Sequence, residues 1–127
     1  MMDMKKDIET RNDIILLVDS FYGALKMNEK LNYIFSDVAQ IDWDKHLPKM
    51  YSFWASLILG EHSYTGDPMF THMALSKQTP MGEIEFTEWL LLFNNTVDKL
   101  FNGNNADEAK TRAANIARLM LFKINNK

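Results

Sequence analysis

A chain of 127 residues is one domain by size, long enough for a single hydrophobic core and too short for two. Its net charge of −3, with acidic and basic residues interspersed, offers no basic stripe to neutralise phosphates, so no nucleic acid is expected as a partner. The lack of cysteine excludes disulfides, thiolate metal sites, iron–sulfur ligation and any thioether-linked prosthetic group.

Residues 1–9 are polar and methionine-rich with no cap before Thr10, which predicts a frayed start or a short pre-helix of low stability. From Thr10 the pattern sharpens. Thr10 with Asp13 three residues on resembles a capping box, and Ile14, Val18, Phe21, Tyr22 and Leu25 recur at helical spacing, predicting one amphipathic helix to about Met27. Asn28 can cap a following turn, and Leu31, Ile34 and Phe35 then predict a brief helix. Asp42 caps the next segment, whose stripe of Trp43, Met50, Phe53, Trp54, Leu57 and Ile58 ends at Gly60. His46 lies on the edge of that stripe. Pro48, six residues past the cap, removes an interior donor and crowds the carbonyl one turn earlier, which predicts a bend or restart near Lys45–Leu47.

After a loop to Gly66, Asp67 and Pro68 form a helix start that carries His72 among Met69, Phe70, Met73 and Leu75. An imidazole in such apolar company is either a satisfied core residue or a metal ligand. His62 falls in a polar loop and reads as solvent-exposed. Helix resumes near Gly82 or Glu83 and runs along Phe86, Trp89, Leu90, Phe93, Val97, Leu100 and Phe101, with Gly103 closing it. The last helix opens with Asn105 and Glu108 in capping-box register and buries Ala109, Ala113, Ile116, Ala117, Met120 and Ile124, small residues that imply close packing. The Lys and Glu pairs along these helices read as solvated faces. No segment alternates with period two and no Gly-rich phosphate loop or internal repeat is present, so the fold class is all-α. Periodicity alone leaves a bundle and a sandwich of crossed pairs both open.

The 8 Phe, 4 Tyr, 3 Trp and 9 Met are a heavy load of large, polarizable side chains for one small domain. They fit a bulky core, or a core shaped around a large flat apolar guest. No stretch approaches the roughly 18 to 20 apolar residues needed to cross a bilayer, so no membrane partner and a cytoplasmic location are the default expectations.

Several separated elements carry a family likeness: Phe21-Tyr22 in the first long helix, Phe35, Trp43-x-x-His46, Phe53-Trp54, Tyr64-x-Gly66-x-Pro68 before His72, and Trp89-Leu-x-Leu-Phe93. Over roughly Ile14 to Met120 the sequence resembles the truncated haemoglobins, specifically group III, and it lacks the paired-glycine motifs of the other groups. The resemblance implies a single truncated globin domain over 1–127, a two-over-two helical sandwich around haem b. It implies His72 as the proximal iron ligand, Tyr22 and Trp89 as distal donors, and His46 at the distal histidine position. The implied pocket includes Phe21, Phe35, Met50, Phe53, Trp54, Met69, Leu75 and Phe93, with Lys49 as a partner for a haem propionate.

The chemistry agrees with what the resemblance implies. Haem iron needs an axial base, and a neutral imidazole is a standard one. Oxygen on ferrous iron gathers negative charge, which a phenol O–H and an indole N–H in a dry pocket stabilise as preorganised donors. Each residue also has a plainer reading, with Tyr22 and Trp89 as packing and His46 as a solvated edge histidine. Three functions follow. One is a protein that binds O₂, CO or NO reversibly. Another is a haem enzyme with peroxidase-like or nitric oxide dioxygenase activity, which needs an external reductant and so a reductase partner. The third is a haem-free helical interaction module.

Overall fold

The computed structural model describes residues 5–31, 43–61 and 82–125, without the side chains of 43–46, 120 and 123–125. Among the described residues there are four helices and no strand: α1 (Arg11–Met27), α2 (Trp43–Leu59), α3 (Glu83–Leu100) and α4 (Asn104–Asn125).

The first helix begins where its polar residues dictate. Thr10 Oγ1 accepts from the Asp13 N–H at 3.3 Å, and the Asp13 carboxylate accepts in return from Thr10 at 3.0 Å and from Glu9 at 2.9 Å. This is the reciprocal cap that satisfies orphan donors of the first turn. Burial alone would raise the Asp13 pKa. The Glu9 N–H, the Lys6 ammonium and the Thr10 N–H together hold it below the usual carboxylate value. At the other end the Asn28 N–H reaches the Leu25 carbonyl at 3.1 Å, while its side-chain oxygen accepts from Lys30 and Leu31 at 2.8 and 3.0 Å. One residue thus closes α1 and turns the chain, seating Leu31 in the core. The brief helix expected through Ile34 and Phe35 lies outside the described residues.

Helix α2 runs through Pro48 as one continuous helix, which corrects the restart expected near Lys45–Leu47. Pro48 is exposed, so its missing donor costs one rung of the ladder without opposing the burial of Met50, Trp54 and Ala55. Gly60, at φ +75°, ends the helix in the left-handed conformation that glycine adopts without strain. Helix α3 starts after Gly82, whose N–H donates to Glu85 Oε1 at 2.7 Å. It stops at Leu100 with Phe101 as its cap, so Gly103 belongs to the entry of α4 and not to the end of α3.

The start of α4 differs from the expected Asn105–Glu108 box. Asp7 supplies the cap from the far end of the chain, accepting from the Asn105 N–H at 2.9 Å and the Ala106 N–H at 2.8 Å. Asn105 uses its side chain to donate to the Ile8 carbonyl at 2.7 Å, and the Asn102 N–H donates to the Lys6 carbonyl at 3.0 Å. A carboxylate is a strong acceptor for the unpaired donors at a helix N-terminus. Residues 5–9 are therefore neither frayed nor helical. They form a clasp on the start of α4, and Ile8 is fully buried.

The helices pack in two layers. Helix α1 lies against α2 and α3, and α4 lies against α3 and α2. Arg11 joins the first layer by donating to Glu61 at 2.8 Å and Ser52 at 3.0 Å, and the Tyr51 hydroxyl donates to Asp19. Burial and that carboxylate push the Tyr51 phenol up to about 12. In the second layer Ala109, Ala113 and Ala117 are buried, and such small side chains allow the close approach of α3 that their spacing implied. Ile14, Leu17, Val18, Phe21 and Leu25 of α1 meet Trp54 of α2 and Phe93 and Val97 of α3 in one core.

Candidate functional site

Aromatic residues from α1, α2 and α3 converge. Phe21 makes edge-to-face contacts with Tyr22, Trp89 and Phe93 at centroid distances of 5.5, 5.4 and 5.1 Å. Phe93 stacks on Trp54 at 4.9 Å and on Trp89 at 5.8 Å, and Phe53 meets Trp54 edge-on at 5.2 Å. Trp89 and Phe93 can stack because positions four apart lie on one helix face. Each such ring pair contributes about 0.5–1.5 kcal/mol beyond its buried area. Burial is graded across the group. Phe93 and Phe21 are sealed in the core, whereas Tyr22, Trp89 and Phe53 are half-buried and form its wall.

Two residues of that wall carry polar tips. Desolvation by the surrounding protein pushes the Tyr22 phenol well above its ordinary pKa, so the hydroxyl keeps its proton and stays a donor. The Trp89 indole N–H can only donate. One ring, Phe21, touches both side chains, so two residues that carry hydrogen-bond donors meet in one aromatic group built from helices that are remote in sequence.

The end of the wall nearest the α1–α3 crossing is tied by polar groups. Asn28 Nδ2 donates to Glu88 Oε2 at 3.0 Å, and Lys30 Nζ lies 3.5 Å from Glu88 Oε1. The Asn28 amide, with Lys30 beside it, outweighs burial and lowers the Glu88 pKa. The general reading of Lys and Glu residues as solvated faces misses Glu88, whose side chain is only 21% exposed. Helical spacing cannot reveal it, because its partners lie about sixty positions earlier. Asn94 is a second polar group that periodicity did not single out. Its side-chain oxygen is buried and, among the described residues, unpartnered.

The structure thus brings together Phe21, Tyr22, Phe53, Trp54, Trp89 and Phe93 of the expected pocket, with Met50 buried one turn before Trp54. Lys49 is exposed on α2. His46 falls in α2, and its side chain lies outside the described residues, as do Phe35, Met69, His72 and Leu75 entirely. Among the described residues no group of three or more His, Cys, Asp or Glu is placed to hold a metal ion.

Comparison with known proteins gives a consistent likeness. The chain is 29% identical to the group 3 truncated hemoglobin of Campylobacter jejuni, over 94% of this chain and 97% of that one. Its backbone matches the crystal structure of a group III truncated hemoglobin from Campylobacter jejuni with a TM-score of 0.80, 28% identity and 94% coverage of both chains. No protein-family profile matches the sequence.

Proposed function

Because the chain is a relative of the group III truncated haemoglobins in both sequence and fold, we propose that it is a haem-b protein that binds O₂, CO or NO reversibly. One observation carries the reading: Tyr22 and Trp89, distant in sequence, both pack against Phe21 in one aromatic group built by three helices. The described residues fit such a cofactor. They form an aromatic group whose outer members are half-buried, and its polar members Tyr22 and Trp89 carry hydrogen-bond donors instead of carboxylates that would repel an electron-rich ligand. When bound, the haem supplies an iron with one axial base and one position for a diatomic gas.

In this reading His72 would ligate the iron, and Phe35, Met69 and Leu75 would add to the apolar lining given by Met50, Phe53, Trp54, Phe21 and Phe93. Lys49, exposed on α2, is the candidate partner for a propionate. Tyr22 and Trp89 donate to the polarised gas ligand and exclude water from it. His46 would occupy the distal position and govern entry. The experiment is the absorption spectrum of the purified, haem-loaded chain in ferric, ferrous and CO-bound forms. A Soret band that shifts on reduction and on CO addition, with the pattern of a histidine-ligated iron, is the expected result. A chain that takes up no haem stoichiometrically is instead the haem-free helical module.

A further inference from the structure

We propose that Asn28 and Glu88 are positioning residues that set the geometry of the Tyr22–Trp89 donor pair. This rests on the reading of those two residues as ligand donors.

The two donors sit on different helices. Tyr22 is in α1, six residues before Asn28, and Trp89 follows Glu88 directly in α3. Their separation is therefore a property of the α1–α3 crossing. Ring contacts through Phe21 hold that crossing on the core side, but edge-to-face contacts define a distance far better than they define sliding along a helix axis. The Asn28–Glu88 hydrogen bond supplies what they lack. It is a directional bond to an ionised acceptor, made at 3.0 Å between the residue that caps α1 and the residue adjoining Trp89. Asn28 is itself immobilised, since its oxygen is engaged by the Lys30 and Leu31 N–H groups and its backbone N–H by Leu25. Both ends of that side-chain amide are engaged, the oxygen by Lys30 and Leu31 and the nitrogen by Glu88, so Glu88 is held against a rigid corner and not against a waving side chain. Lys30 Nζ lies 3.5 Å from the other carboxylate oxygen, on an exposed side chain.

Isosteric exchange tests this. Asn28→Asp keeps the oxygen that caps Lys30 and Leu31 but removes the donor and opposes two carboxylates. Glu88→Gln keeps an acceptor for Asn28 but loses the charge. The two changes together exchange donor and acceptor. In the haem-loaded protein, Asn28→Asp is expected to speed O₂ release by about three- to tenfold with CO release changed less than about twofold, and Glu88→Gln to have a smaller effect of the same kind. The double variant is expected to return O₂ release to within about twofold of the parent. A readout independent of haem is the urea unfolding midpoint of the chain, where the double variant should likewise recover most of what Asn28→Asp loses. Recovery of stability without any selective change in O₂ release would make the tie structural only and overturn the positioning role. Equal acceleration of O₂ and CO would overturn it too, since a displaced donor affects the charged ligand selectively. Failure of every form to bind haem would count against the proposed function, while the unfolding series would still report on the tie.

Discussion

A phenol whose pKa is pushed up by burial remains a donor at every physiological pH, and Tyr22 is such a phenol. A hydrogen bond to a charged group contributes roughly 1.5 to 3 kcal/mol, and about 1.4 kcal/mol is a factor of ten. Tyr22→Phe should therefore speed O₂ dissociation by roughly ten- to a hundredfold, measured by stopped-flow on the haem-loaded chain, while CO dissociation changes much less. Trp89→Phe should act in the same direction, with an added loss of stability because it shrinks the ring stacked on Phe93. The double variant should depart from the product of the singles if, as proposed, both donors serve one acceptor. Equal acceleration of O₂ and CO would mean that the two residues act by shaping the pocket. At this scale the sequence names Tyr22 and Trp89 through a family pattern. It does not reveal that Phe21 bridges them, because a contact between positions 21 and 89 depends on how two helices cross.

The helix ends divide into those readable locally and those that are not. Thr10 with Asp13 and Asn28 with Leu31 are written within four residues, and the structure forms both. The cap of α4 comes from Asp7, so the nearby Asn105 and Glu108 suggest the wrong partner. Burial works to raise the Asp7 pKa, but the N–H groups of Asn105, Ala106 and Ile8 outweigh it and hold the carboxyl below its ordinary value. A depressed carboxylate contributes stability that is present above its unfolded pKa, near 3.8, and is lost as pH falls through the lower folded value. Asp7→Ala should cost about 1 kcal/mol at pH 7, by analogy with other lost N-caps, and the gap between variant and parent in urea unfolding should close as pH falls below 4. A gap that stays constant to pH 2 would show that the charge is not what Asp7 contributes. Gly103 is bound to the same clasp. Its φ is +149°, and a Cβ there would stand 2.5 Å from Asp7 Cγ. Gly103→Ala should destabilise by roughly 1–3 kcal/mol, and by distinctly less when Asp7 is also Ala. Simple additivity of the two changes would place the strain in the backbone alone.

Over the whole molecule, an all-α chain with amphipathic stripes on its long helices was legible in the sequence, because each stripe encodes which side of its helix is buried. The pairing of α1 with α2 and α3, and of α4 with α3 and α2, was not, because a stripe does not specify its partner. The family pattern implied a two-over-two sandwich without naming which helices pair, and the backbone match to a group III truncated hemoglobin agrees with that fold. The candidate site is legible to a similar degree: its aromatic members could be named, but their graded burial and the tie at Glu88 arise only when three helices meet. His72 is the residue on which the haem reading depends for its axial base. His72→Ala should abolish stable haem retention, followed by gel filtration of the loaded protein and its absorption. A variant that keeps a normal histidine-ligated ferrous spectrum would send the search for the proximal ligand elsewhere.

The clasp of residues 5–9 onto the start of α4 joins positions separated by 97 to 99 residues. Closing a loop of that length is entropically costly until the intervening helices have already brought its ends together. The clasp should therefore form after the rate-limiting step of folding, as the last seam to close and the first to open. Asp7→Ala is expected to leave the refolding rate nearly unchanged and to raise the unfolding rate by about fivefold, the whole of a ~1 kcal/mol loss appearing on the unfolding limb of the chevron. A slowed refolding limb with an unaltered unfolding limb would place Asp7 in the nucleus instead, and the chain would then begin folding by joining its two ends.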